Sequence, residues 1–144
     1  MDTVKEILNK KGYEVHTISP EATVFDALKL MYEKDIGALV VRDGDDIVGM
    51  ISERDYARKV ILQGKSSKKL AVKEIMSQKV IFVNQSMTPE ECMALMTNKR
   101  IRHLPVFENN KLTGIISIGD VVKAVIDQKK YLIDHLEEYI SVRR

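Results

Sequence analysis

The chain has 144 residues, 44% of them hydrophobic and 31% charged, an ordinary balance for a folded domain with enough apolar mass for a core. A net charge of +2 excludes a strongly basic nucleic-acid groove or a polybasic membrane patch, and a single cysteine excludes an internal disulfide or an all-cysteine metal site. No apolar run is long enough to span a bilayer, and the start MDTVKEILNKKGYE has neither signal-peptide nor transit-peptide character, so the expected address is cytoplasmic, or a processed organellar form.

The chain repeats itself. Val4-Lys5-Glu6-Ile7-Leu8 recurs as Val72-Lys73-Glu74-Ile75-Met76. From Val15 the register holds without a gap at an offset of about 65 residues, with roughly fourteen identities over about 47 positions. Thr23/Thr88, Leu39/Leu104, Gly49/Gly114, Ser52/Ser117 and Asp55/Asp120 are among them. Two copies of this length describe a duplicated small domain, too small for each half to bury much core alone. The expected divisions are 1–62 for the first repeat, 63–70 (QGKSSKKL) for a polar linker, 71–130 for the second repeat and 131–144 for a C-terminal helix.

Each copy predicts the order β-α-β-β-α. The first opens with an extended segment at Val15–Ile18. A helix follows, with Thr23 as N-cap, Asp26 three residues on, and Val24, Ala27, Leu28 and Met31 at helical spacing. Ala38–Val41 reads as a strand buried on both faces, Asp43-Gly44-Asp45-Asp46 as a turn, Ile47–Ile51 as the returning strand, and Ser52 as the start of the last helix. The second copy uses Thr88, Glu91 and Pro89 at its first helix start and Asn109-Asn110 at its turn. After Asp120 a helical pattern runs toward the C-terminus with a pause at Asp127–Lys130. Its last part carries a stripe of Leu132, Leu136 and Ile140 beside Tyr131, His135 and Tyr139. Such a stripe fits a helix packed on its own domain, a partner face, or both.

Two motifs carry the chemistry. Gly49-Met50-Ile51-Ser52-Glu53-Arg54-Asp55 and Gly114-Ile115-Ile116-Ser117-Ile118-Gly119-Asp120 each end a strand in a serine at a helix start, with an aspartate three positions on. The plain reading is a capping box. The functional reading uses the same geometry: a helix N-terminus attracts phosphate or hydroxyl oxygens, and a carboxylate there can accept from two vicinal ribose hydroxyls. Ile101-Arg102-His103-Leu104-Pro105-Val106 puts a cationic pair at the head of a buried strand where the first copy has Gly37 and Ala38. Those charges are either solvated at a strand start or a phosphate clamp, for which the fork of donors on arginine is suited.

The duplication, the two G-x-x-S-x-x-D motifs and the strings GALVV, ERDYARKV, RHLPV and SIGDVVKAV resemble a CBS-domain pair (Bateman module), as in small stand-alone bacterial and plant organellar proteins, over nearly the whole chain. The resemblance implies an α/β (α+β) fold of tandem β-α-β-β-α repeats packed about a pseudo-two-fold axis. It also implies two clefts for adenine nucleotides, AMP foremost, with ADP, ATP or NAD as further ligands. By position, one cleft would use Asp120 for the ribose, Ser117 and Gly119 near sugar and phosphate, Arg102 and His103 near the phosphate, and Ile115, His16, Ile36 and Gly37 around the adenine. The other would use Asp55, Ser52 and Arg54, with Met50, Ile81 and Ile101 around the base and Arg58 near a second phosphate. Gly119 against Arg54 makes the copies unequal, and the Asp120 cleft is the first choice. The implied protein is a nucleotide-binding regulatory module, a homodimer at least, that signals to an unidentified protein, redox enzymes being one class of partner.

The competing reading is a structural dimerisation module with empty clefts, against which both Ser/Asp doublets stand. No nucleophile–base pair, metal cluster or Walker loop points to an enzyme. His16, His103, His135 and Cys92 lack metal spacing, so no metal is expected. Cys92 aligns with Ala27 and reads as a buried small hydrophobe, the methionines as core fillers, and the Asp43–Asp46 turn as solvated because it is too short for a calcium loop.

Overall fold

The computed structural model of the chain describes residues 2–143. In chain order its elements are α1 (Val4–Lys11), β1 (Thr17–Ile18), α2 (Val24–Lys34), β2 (Ala38–Asp43), β3 (Asp46–Ser52), α3 (Glu53–Lys59), α4 (Pro89–Lys99), β4 (His103–Glu108), β5 (Lys111–Ser117), α5 (Ile118–Gln128) and α6 (Lys130–Arg143). Short 3-10 turns lie at Ile61–Gln63 and Val72–Glu74. The chain divides into two packing units. One is Val15–Ile81; the other, composite, joins the residues up to Glu14 with those from Phe82 onward.

In the 15–81 unit, the Thr23 hydroxyl accepts from the Asp26 N–H at 3.0 Å, capping α2 as its sequence predicts. The reciprocal bond from Asp26 is not formed among the described residues. The helix stops where Asp35 turns left-handed (φ 54°), and Ile36 N–H returns to Met31 O at 3.0 Å. β2 follows with Ala38 to Val41 buried, between parallel β1 and antiparallel β3 in the order β1-β2-β3. The core is Val24, Ala27, Met31, Leu39, Val41, Ile51, Val60, Val72 and Ile75. The polar stretch expected as a linker is tied down here. Phe25 N–H bonds Ser67 O and Val24 N–H bonds Leu70 O, each at 2.9 Å, so these carbonyls satisfy donors at the start of α2 that have no helical partner.

The composite unit repeats this plan with one loss. Thr88 and Glu91 form the full capping box, with both bonds at 3.1 Å and Pro89 in the first turn. Arg100 ends α4 in the left-handed region (φ 55°). β4 and β5 pair antiparallel across Asn109 and Asn110, both at positive φ, the backbone that a two-residue turn demands. Both hairpins slip register at the same place, Val41/Arg42 and Val106/Phe107. The equivalent of β1 shrinks to a single bridge at Val83, which donates to Pro105 O at 3.0 Å and accepts from Phe107 N–H at 2.9 Å. Pro105 stands where the first copy has Val40, and without an N–H it cannot extend the ladder toward the preceding residues.

The flanking segments explain the strand glycine that both copies share, Gly49 and Gly114. Leu8, fully buried, packs so close to β5 that a Cβ at Gly114 would come within 2.7 Å of its Cδ2 atom. In the 15–81 unit Met76 and the backbone of Ser77 crowd Gly49 to the same 2.7 Å. Leu8 and Met76 are the matched residues of the repeated VKEIL/VKEIM strings. Each string therefore covers a β-hairpin, but α1 covers the hairpin of the second copy.

α5 and α6 break at Lys129, within the expected pause. Leu132, Leu136 and Ile140 are 53, 50 and 56% exposed, so α6 does not bury its stripe on its own unit. The side chain of Tyr131 lies outside the described residues. Cys92 is fully buried, and burial, helped by the charge of Glu91, pushes its thiol up to about 11. Met31 and Met96 are core residues.

Candidate functional site

In the composite unit most of the predicted residues converge on the start of α5. His103 is the register partner of Ser117, and Ile115 that of Pro105. Ile118 N–H donates to Arg102 O at 2.8 Å, tying the head of β4 to the first residue of α5. Ser117 Oγ accepts from Asp120 N–H at 3.2 Å, and Asp120 Oδ2 accepts from Ser117 N–H at 2.8 Å. The capping box is thus real and fixes the Asp120 rotamer. It consumes only one carboxylate oxygen: among the described residues Oδ1 accepts from no group, and the Gly119 N–H has no acceptor. A Cβ at Gly119 would meet only Ser117 Oγ at 3.6 Å. Arg102 is exposed, His103 half-buried. Ile101 sits just before them, its N–H bound to Met96 O at 3.0 Å.

One residue of this site escaped the sequence analysis. Lys11, in the last turn of α1, reaches Asp120 Oδ2 at 2.6 Å and Ile115 O at 2.8 Å. Its only trace in sequence is indirect: Lys59, one turn beyond Asp55, is replaced by Ala124 beyond Asp120. A cavity of about 230 Å³ between α1 and α5 has charges of both signs in its wall, Lys10, Lys11 and Lys123 with Asp2, Glu6, Asp120 and Asp127.

The charges set each other. Burial works against ionised Asp120, but the bonds from Lys11 and Ser117 outweigh it and hold the carboxyl below its ordinary 3.8. Burial holds the His103 imidazole below 6.5. Lys11 and Arg102 push the same way, and Asp120 opposes them. The site therefore presents an anionic carboxylate, a neutral imidazole and a guanidinium. Chemically it can accept from hydroxyls at Asp120 and donate to an anion from Arg102 and the first turn of α5.

The 15–81 unit holds the matching set in a more closed form. Ser52 and Asp55 make a full capping box through Asp55 Oδ2, with the Ser52 N–H at 2.9 Å. The other oxygen, Oδ1, lies 3.2 Å from Lys59 Nζ, which also donates to Ile75 O at 2.9 Å. Glu53 N–H bonds Gly37 O at 3.1 Å, the counterpart of Ile118 to Arg102. Met50 pairs with Val40 on one side and exchanges bonds with Ser77 on the other. Arg54 and Arg58 are exposed; His16, just before β1, Ile36 and Ile81 are half-buried. The residues assigned to each cleft from the resemblance are drawn from both units. Asp120, Ser117, Gly119, Arg102, His103 and Ile115 come together within one, as do Asp55, Ser52, Arg54 and Gly37 within the other.

A family model described as "CBS domain" matches residues 4–61 and again 72–127. The mitochondrial CBS domain-containing protein CBSX3 of Arabidopsis thaliana is 39% identical over 96% of this chain and 72% of its own. The structure of a protein with CBS domains from Burkholderia ambifaria MC40-6 superimposes with a TM-score of 0.84 at 55% identity, covering 87% of this chain and 94% of that one. The hexameric CBS-CP12 protein of bloom-forming cyanobacteria matches at 33% identity and a TM-score of 0.79, over 96% of this chain and 82% of its own.

Proposed function

Because the chain belongs to the CBS-domain family, with two copies in tandem, we propose that it binds an adenine nucleotide, AMP foremost, at Asp120 and reports occupancy to a partner protein. The observation that carries this reading is the half-used carboxylate. Ser117 fixes Asp120 through Oδ2 at 2.8 Å, leaving Oδ1 as an acceptor at the strand–helix turn to which the backbone of Arg102 and His103 is tied. Asp120 takes the ribose hydroxyls; Gly119 N–H, Arg102 and, on protonation, His103 take the phosphate; Ile115 lies against the base. ADP, ATP and NAD share the adenosine half and remain in the ligand class. In the 15–81 unit Asp55, Ser52, Arg54, Arg58 and Met50 form a weaker counterpart, because Lys59 already engages the second oxygen of Asp55.

The function is binding and signalling. The exposed stripe Leu132, Leu136 and Ile140 supports self-association through α6, two-fold pairing being the commonest solution, and the hexameric relative supports assembly in the family. No helix among the described residues is long and apolar enough to cross a membrane. The working location is cytoplasmic, with an organellar address as the alternative suggested by the mitochondrial relative.

The test is a calorimetric panel of AMP, ADP, ATP, NAD and GMP on protein stripped of nucleotide, preceded by absorbance at 260 nm of the protein as purified. Saturable binding of adenine nucleotides with AMP tightest supports the reading. Binding of none, with the protein folded, leaves the dimerisation module as the account.

A further inference from the structure

We propose that Lys11 is a specificity-determining residue of the Asp120 site, an internal competitor that holds Oδ2 of the carboxylate in the free protein and must yield it to the second hydroxyl of a vicinal diol whose first hydroxyl bonds Oδ1. This rests on the nucleotide reading above and says how that site chooses.

Lys11 Nζ makes two short bonds, 2.6 Å to Asp120 Oδ2 and 2.8 Å to Ile115 O. An ammonium has three donors and no acceptor, so it satisfies acceptors in the way that two hydroxyls, or a hydroxyl and an amine, would. A ligand that aligns donors on the Asp120 carboxylate and the Ile115 carbonyl asks for the same atoms. The two residues are 109 apart in sequence, so the contact is a product of the fold and not of helix geometry. Leaving is feasible. The Lys11 and Asp120 side chains are 34 and 24% exposed, and the cavity between α1 and α5 opens beside the pair. The rest of α1 stays anchored, since Val4 and Leu8 are fully buried, so only its last turn has to give up a contact.

Charge then decides which diols profit. Lys11 released by any ligand gives up Asp120 for a wall in which Lys10 and Lys123 stand among Asp2, Glu6 and Asp127. An anionic ligand adds a further negative group beside the displaced ammonium, and a neutral ligand adds none. Lys11 therefore penalises neutral nucleosides more than nucleotides. Removing it lifts the penalty from adenosine, while AMP loses a favourable cation along with the competitor. A half-exposed pair of this kind is worth roughly up to fivefold in affinity.

The experiment titrates adenosine and AMP into wild type, Lys11→Met and Lys11→Arg, with thermal midpoints to establish that each variant is folded. The expected result is that Lys11→Met tightens adenosine about three- to fivefold and AMP less, lowering the AMP-to-adenosine preference, while Lys11→Arg stays near wild type. Binding confined to Lys11→Met would also support the competitor role. Unchanged adenosine affinity in Lys11→Met, with AMP still bound, overturns this inference and leaves the nucleotide reading standing. No binding of either ligand to any of the three proteins overturns both.

Discussion

Lys59 Nζ lies 3.2 Å from Asp55 Oδ1, one turn along the same helix, and the matching position beyond Asp120 is Ala124. The two copies of the motif thus differ less in the capping box, which is the same in both, than in what holds the second carboxylate oxygen. Moving the lysine across should move the property. Ala124→Lys is expected to weaken AMP binding at Asp120 by roughly twofold, the worth of an i,i+4 ion pair that must be broken, with little change in stability. Titration of the variant beside wild type checks this; unchanged affinity would mean that the free oxygen is not what makes this copy the better site.

The clamp reading of Arg102 separates two ligands. Arg102→Ala is expected to lose about 10- to 150-fold in AMP affinity, a charge-assisted hydrogen bond being worth about 1.5–3 kcal/mol, and to leave adenosine nearly unchanged. Equal losses for both ligands would assign Arg102 to the fold or the base pocket.

His103 gives a pH dependence with a definite sign. Its folded value lies below 6.5, burial being the main cause. The neutral imidazole is therefore favoured by folding. That contribution to stability is complete above pH 6.5 and is lost as pH falls from there through the folded value. A bound phosphate works the other way and raises the imidazole, so AMP binding to wild type should take up more protons than binding to His103→Gln, where only the phosphate's own titration is left. Urea unfolding of wild type and His103→Gln between pH 7.5 and 5 checks the first, with a flatter profile expected for the variant. Calorimetry in buffers of different ionisation enthalpy checks the second. Equal proton exchange by wild type and His103→Gln would contradict the account.

Asp120 has the opposite dependence. Its folded value is below 3.8 because the Lys11 and Ser117 bonds outweigh burial. Its contribution to stability is present above that pH and is lost as pH falls through the folded value. Lys11→Met should move the Asp120 carboxyl upward in a ¹³C titration. No movement would mean that the 2.6 Å contact is not populated in solution.

The glycines predict a ranking. A Cβ at Gly49 meets the Ser77 backbone oxygen at 2.7 Å, whereas at Gly114 it meets the end of the Leu8 side chain. Side-chain ends give way more readily than backbone. Both alanine variants should destabilise, by about 1–3 kcal/mol, with Gly49→Ala the worse. Leu8→Ala combined with Gly114→Ala should cost less than the sum, because the new methyl fills part of the space vacated. Chemical denaturation of the four variants beside wild type measures all of this; the reverse order would show that the close approaches are misassigned.

What the sequence reveals and what it conceals follow from the range of the interactions. Thr23, Thr88, Ser52 and Ser117 cap their helices as expected because a cap is a contact over three residues, written in adjacent letters. Ala38–Val41 and Leu104–Val106 are buried as expected because unbroken apolar runs leave no polar face. The contact of Lys11 with Asp120 was not legible, since nothing local links residues 109 apart, and the missing lysine at Ala124 gains meaning only once α1 is seen beside α5. The exchange of flanking segments was hidden for the same reason: VKEIL reads identically whichever hairpin it covers. The shortened strand at Val83 follows from Pro105, a residue noted for its place in the RHLPV string but not for its lost N–H. The α6 stripe was legible as a face, but periodicity does not say what a face covers, and within its own unit Leu136 remains half exposed.

The central claim is that Asp120 reads a ribose, and one comparison tests it most directly: AMP and 2′-deoxy-AMP titrated into wild type and Asp120→Asn. The account predicts that wild type prefers AMP by roughly 10- to 150-fold, the worth of a hydrogen bond to a charged group, and that the preference collapses in the variant while the protein stays folded. Equal affinity of wild type for the two ligands, or a preference that survives the substitution, would contradict it.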